Sequence, residues 1–317
     1  MKTDQDFRGF YDTALLPTLT ELEKERKALV NKIYLYVFIA FLIAIPFFFI
    51  LLPLAVVGFI VMGVIYYFKY GTRIKAKKDR YKSEVVGRMV SFIDPSLTYN
   101  HSQCINQGVY HQSKLFMSDI NKYKGDYLVS GTVGKTKITF CELLTQLEKT
   151  TTDSKGNKSK SVTTVFRGIF FMADFNKKFI GETFVLPDVA EGWLGSVGTI
   201  LQKMNMVRPQ LVKLEDVEFE KEFAVYGTDQ TEARYILSTA LMERIKLFRK
   251  HTRKRISLSF IDSHIFVAIP LSDNMFEAPL FSSMINFNKV SEYYNYLALC
   301  VGIVEILDLN TRIWSKE

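Results

Sequence analysis

Cysteine is scarce. Cys104, Cys141 and Cys300 are odd in number and far apart, so neither a disulfide framework nor a zinc spacing follows, and a reducing compartment is the simpler home. Only four histidines occur. His101, Cys104 and His111 share a polar loop, but a fourth ligand is missing and the spacing matches no standard finger. His264 stands beside Asp262 and Ser263, yet neighbours in a turn point in different directions, where a triad must converge. Ser130-Gly131-Thr132-Val133-Gly134-Lys135-Thr136 lacks the first glycine of a phosphate loop, because Val129 stands there. β-like residues also follow it where a helix is needed, so a hairpin turn is expected. No catalytic residue, metal ligand or cofactor is assigned.

Charge is missing over a longer stretch. From Ile33 to Phe68, 36 consecutive residues carry none. A spanning helix takes about 20 apolar residues, so the run is too long for one span and just long enough for two short ones. Pro46 and Pro53 interrupt its middle, where each removes a backbone donor and disfavours helix in the preceding residue. A transmembrane helical hairpin is expected. The run starts too late, and is too long, for a cleaved signal peptide.

Both flanks of the run are basic. Lys24, Arg26, Lys27 and Lys32 precede it, and Lys69, Arg73, Lys75, Lys77, Lys78 and Arg80 follow. Loops on the cytoplasmic side collect Lys and Arg, so both termini are expected in the cytoplasm. The six residues after the run are expected to meet anionic lipid headgroups. A second basic cluster, Glu243 to Arg255, has seven basic and one acidic side chain. Its plain reading is a solvated helix end whose charge matches the dipole; a membrane or anionic-partner surface comes next, and one interleaved aromatic argues against nucleic acid.

Along the chain, 1–32 reads as an amphipathic arm broken at Pro17, 33–68 as the hairpin and 69–95 as a basic juxtamembrane helix. A strand-rich soluble part, 96–210, has strands at Tyr127–Val133, Lys137–Glu148, Ser161–Phe175 and Lys178–Leu186. Residues 189–209 read as a connection. The part 211–317 opens with a strand at Phe219–Tyr226, which would put Glu218, Glu220 and Glu222 on one face, either solvated or docking a partner. Asp229 and Glu232 make an Asp version of the capping box ahead of a helix that Ser238-Thr239 can break. A hairpin around Asp262-Ser263 and a C-terminal core helix, 289–309, follow. Segregated helices and antiparallel hairpins define an α+β class.

Several of these segments together suggest a family. They are Phe7-x-x-Phe10-Tyr11 with Leu16-Pro17-x-Leu19, Phe166-Arg167-Gly168-Ile169-Phe170-Phe171, Phe219-Glu220-x-Glu222-Phe223 with Asp229-x-x-Glu232-Ala233-Arg234-Tyr235-Ile236-Leu237-Ser238, and Leu309-Asn310-x-Arg312-Ile313-Trp314. The chain resembles, over nearly its whole length, the bacterial membrane family called domain of unknown function thirty-one thirty-seven. Where the family pattern has a proline just after the Ser238 position, this chain has Thr239-Ala240. The resemblance implies a bacterial inner-membrane protein, encoded in some cases near LemA-like membrane proteins, and transfers no active site. The expected function is a membrane-anchored cytoplasmic binding or scaffold protein that meets a protein partner or a second copy. The alternatives are an enzyme acting on a lipid or membrane-associated substrate, or a self-assembling structural protein.

Overall fold

The computed structural model describes residues 2–50, 63, 71–152, 156–175, 178–188, 208–273 and 276–310, with side chains left out for 43–50. The chain is α+β, and it divides into two units. One comprises Met1–Phe92 and Phe276–Asn295, the other Ile93–Met275 and Tyr296–Glu317.

The first unit is helical. Thr3 caps helix Asp4–Phe10 by accepting from the Asp6 amide, and the Asp6 carboxylate returns the bond to Thr3. A π-helical turn, Tyr11–Leu15, leads directly into a 35-residue helix, Leu16–Ile50. The break expected at Pro17 does not occur. Pro17 directly follows a π-helical turn within a continuous helical path, and that widened turn accommodates a residue with no N–H to donate. The π turn takes up the change of register, with the Leu16 amide donating to the Tyr11 carbonyl.

Along this helix and the helical stretch 71–93, contacts rise in number on one side as they fall on the other. Arg88 donates to the Ala14 carbonyl, Arg80 meets Glu21 at 2.9 Å and Glu25 at 2.7 Å, and Lys77 meets Glu25 at 2.6 Å. Leu29 and Ile33 pack with Ile74. The two helices are therefore antiparallel. The arm residues close the unit: Phe7 stacks on Tyr294 with centroids 3.9 Å apart, Phe10 stacks on Phe92 at 4.0 Å, and the Tyr11 hydroxyl donates to the Ile285 carbonyl.

Inside the unit lies a charged pair, Glu23 and Arg26, whose side chains are 5% and 9% exposed and 2.7 Å apart. Arg26 also donates to the Leu280 carbonyl, and Glu23 accepts from the Met284 amide. Each charge thus has a second partner, which a buried pair needs to offset its loss of water.

In the second unit the described strands form one antiparallel sheet of nine. They are β1 (Thr98–Asn100), β2 (Lys122–Val133), β3 (Thr136–Thr152), β4 (Lys158–Asp174), β5 (Thr183–Pro187), β6 (Gln210–Leu211), β7 (Phe223–Gly227), β8 (Ser257–Ile261) and β9 (His264–Pro270). Their spatial order is β1-β2-β3-β4-β9-β8-β5-β7-β6. The parts read as 96–210 and 211–317 therefore share a sheet. Phe170, Phe184, Phe266, Leu143 and Tyr110 form one cluster of its core. The neighbouring residues Ile169, Phe171, Val185 and Val267 are also buried, as expected where both faces of central strands are covered.

The turns follow their residues. Gly134 takes φ 62° at the first central position of the two-residue β2–β3 turn, as a type II′ hairpin requires. Asn310 closes that turn, its side-chain oxygen accepting from the Lys135 amide and the Thr136 hydroxyl. Ser130–Thr136 is thus a hairpin end, not a phosphate loop.

Three expectations are corrected here. The strand expected over Phe219–Tyr226 begins only at Phe223, because Asp216 caps a short helix, Val217–Glu222, by accepting from the Phe219 amide. Charge and aromatic residues alternate in this segment, but Phe219 and Phe223 also stand one helical turn apart, and their rings pack at 4.9 Å. The strand expected from Lys178 begins at Thr183. Asp229 caps helix Gln230–Ile236 as expected, yet Glu232 turns away and accepts from the Ile180 and Gly181 amides. The break at Ser238 does form. Its side chain accepts from the Leu241 amide and opens helix Thr239–Thr252 without the family's proline. The connection 189–207 lies outside the described residues.

Two outcomes follow. Gly168 holds φ +149°, and a Cβ there would lie 2.0 Å from the Ile269 carbonyl oxygen of the neighbouring strand. Gly168→Ala should therefore destabilise the sheet unit by at least about 2–3 kcal/mol, read from its denaturant midpoint. Glu23→Ala should cost about 3–5 kcal/mol by leaving Arg26 buried and uncompensated. The Arg26 hydrogen bond holds the Glu23 carboxyl below its ordinary range. A depressed carboxylate contributes fully above the unfolded pKa of about 4.3 and loses that contribution as pH falls through the folded value. The stability gap between wild type and variant should therefore narrow in thermal melts only at acid pH.

Candidate functional site

In the second unit an open groove of about 890 Å³ runs between helix Val217–Glu222 and the C-terminal half of helix Thr239–Thr252. Its lining combines Glu218, Lys221 and Glu222 with Glu243, Lys246, Leu247, Arg249 and Lys250, and it ends on Arg253, Lys254 and Arg255. Helical spacing places Lys246, Arg249, Lys250 and Arg253 along one side of their helix. Arg253, at φ 53°, ends the helix in a left-handed cap, its amide donating to the Arg249 carbonyl.

The groove joins two features that lie 20 to 30 residues apart in sequence, the acidic segment and the second basic cluster. The three glutamates do not form the shared strand face expected of them. Glu218 pairs with Lys221 at 2.6 Å, Glu220 accepts from the Leu214 amide, and Glu222 pairs with Arg249 at 2.9 Å. Asp216 and Glu243 both reach Lys246, at 3.0 and 2.5 Å, which raises the lysine pKa, Glu243 acting most. The Phe219 amide, followed by Lys246, lowers the carboxyl of Asp216. Seven basic and three acidic side chains leave the lining at net +4. Among the described residues, Lys250, Arg253 and Lys254 make no ion pair.

The residues expected at lipid headgroups are divided. Arg73 and Lys75 are exposed, while Lys77, Lys78 and Arg80 are engaged by Glu25, Glu277, Glu21 and Glu84. Lys69 lies outside the described residues. Apolar residues of helix Leu16–Ile50 stand open instead, with Tyr34, Leu35, Val37, Phe38, Phe41 and Leu42 each more than 50% exposed. Among the described residues no helix is long and apolar enough to cross a membrane. Of the uncharged run, residues 51–68, Gly63 apart, lie outside the described residues.

The remaining candidates do not converge. Asp262 accepts from Gln112, and the Asp262 and Ser263 carbonyls accept from the Phe179 and Phe175 amides, so the turn holding His264 is occupied in backbone pairing. His111 contacts Gln107. Among the described residues no three His, Cys, Asp or Glu side chains are grouped to hold a metal ion. No local sequence signal marks Arg208. Burial lowers its pKa to about 10, it donates to the Lys114 and Leu115 carbonyls, and it lies 4.5 Å over the Phe184 ring.

A nine-stranded antiparallel sheet with flanking helices thus carries a basic groove. Residues 164–309 match the family described as Protein of unknown function (DUF3137). The resemblance holds over that span, which takes in the Phe166 and Phe219 segments, while the Phe7 arm and all but the first residue of the Leu309 segment lie outside it. The crystal structure of the mycobacterial trehalose monomycolate transport factor A, TtfA, is similar at 9% identity and a TM-score of 0.33, over 70% of this chain and 95% of that one. At that score the likeness carries no argument. No curated relative matches.

Burial also governs the thiols. It raises the pKa of Cys104, Cys141 and Cys300, the last two being buried in the core. A thiol held protonated is a poor nucleophile. Cys141 and Cys300 should therefore resist iodoacetamide at pH 8 in the folded chain and react once it is denatured, as read by mass spectrometry.

Proposed function

We propose that this chain is a membrane-anchored binding or scaffold protein, with run 33–68 inserted as a helical hairpin and both termini on the cytoplasmic side. The observation that carries the reading is the antiparallel pairing of helix Leu16–Ile50 with stretch 71–93, in which Leu29 and Ile33 meet Ile74. The chain leaves along one helix and returns beside it, with Ile33, where the uncharged run begins, in one cluster with Ile74, six residues beyond the run's last residue. A single span would put them a bilayer apart, about 30 Å. The exposed apolar side chains from Tyr34 to Leu42 support the same reading, since a contiguous open patch of this kind seeks an apolar phase.

Exposed Lys24, Lys27, Lys32, Arg73 and Lys75 stand at the base of this region. Each contributes roughly 1 kcal/mol of attraction to an anionic leaflet. The ion pairs of Lys77, Lys78 and Arg80 reduce their share, so headgroup contact falls chiefly on the others. Anchoring would hold the sheet unit near the membrane and raise its local concentration for a partner there.

Density-gradient flotation tests the anchor. The full chain should float with membranes and stay with them through a carbonate wash. A variant in which a short Gly-Ser segment replaces 33–68 should remain at the bottom, with its sheet unit folded by circular dichroism. Full-length protein recovered in the carbonate supernatant would overturn the reading.

A further inference from the structure

We propose that the groove between helices Val217–Glu222 and Thr239–Thr252 binds an extended acidic segment of a partner protein, one with apolar residues among its carboxylates. The inference deepens the binding-module reading and is independent of the anchor.

Three observations select this occupant. The groove is net positive by four charges, and Lys250, Arg253 and Lys254 at one end make no ion pair among the described residues. Its acidic wall is already occupied, Glu222 by Arg249 and Glu218 by Lys221, so the charge left over is cationic. Leu247 lies in the same lining and is 50% exposed, which gives an apolar side chain a footing between the cations.

The competing occupants fit less well. A compact phosphate is best held at a helix N-terminus, where amides and dipole converge, whereas these cations surround the C-terminal end of helix Thr239–Thr252. A second copy would bring one +4 lining against another. A lipid surface is flat, while this site is a concave groove flanked by two helices. A peptide spreads its carboxylates along the row at helical spacing and places a side chain on Leu247, with affinity that falls as salt rises.

The test uses the full chain in neutral detergent and a fluorescent 14-residue peptide of Glu-Glu-Leu repeats, with binding read by anisotropy. Wild type should bind, and more weakly at higher salt. Lys250→Glu, Arg253→Glu and Lys254→Glu combined should lose at least tenfold in affinity. Leu247→Ser, which leaves the charge unchanged, should lose several-fold. Lys149→Glu, Lys158→Glu and Lys160→Glu combined change net charge equally on β3 and β4, away from the groove, and should bind as wild type does. Equal losses in both triple variants would overturn the proposal, as would wild-type affinity in the groove triple variant. Displacement of the peptide by phosphatidylglycerol vesicles or inorganic phosphate at matched charge, or a dimer abolished by the groove substitutions, would also overturn it. Because the peptide is read in detergent, failure of the anchor in flotation leaves this result unaffected.

Discussion

The helical unit depends on the ladder of ion pairs that holds helix Leu16–Ile50 against stretch 71–93. Glu21 and Glu25 face Lys77 and Arg80, and Glu84 reaches Arg80 from its own helix. Singly, pairs about a third exposed contribute between zero and about 1 kcal/mol each. Their greater effect is on register, since a shift of one turn would oppose Glu21 or Glu25 to the wrong partner. Stability comes from elsewhere in the unit, from the buried Glu23–Arg26 pair and the stacked Phe7, Phe10, Phe92 and Tyr294. The register in turn places Ile33 and Ile74 in one apolar cluster.

Much of the sheet was legible because short-range chemistry decides hairpins. Gly134 and the Asp262-Ser263 turn mark reversals whose strands pair as the alternation requires. Ser238 marks a helix start by capping alone. Local pattern failed at Val217–Glu222, where alternation and one-turn aromatic spacing coexist and the Asp216 cap decided for the helix. It failed again at Pro17, where the preceding π turn accommodates the missing N–H and the helical path continues. The placement of Phe276–Asn295 with the N-terminal unit rests on bonds such as Arg26 to Leu280 and Tyr11 to Ile285, more than 250 residues apart in sequence, and no window along the chain contains them.

The candidate site shows the same division. Along the chain the acidic segment and the basic cluster each stand as a separate surface. Folding sets them across one groove, in which each carboxylate reduces the charge of a particular cation. What remains at Lys250, Arg253 and Lys254 is smaller than the sequence count of +6 and more localised. The headgroup cluster is reduced in the same way, by Glu25 and Glu277. Counting charge along a chain overstates what a partner meets, because charges of opposite sign find one another first.

The central claim is that the uncharged run enters and leaves the membrane on one side. Its most direct measurement is protease added outside intact spheroplasts carrying the chain with a tag at Met1 and another at Glu317. The account predicts that both tags survive until the membrane is permeabilised. Loss of either tag in intact spheroplasts would contradict it.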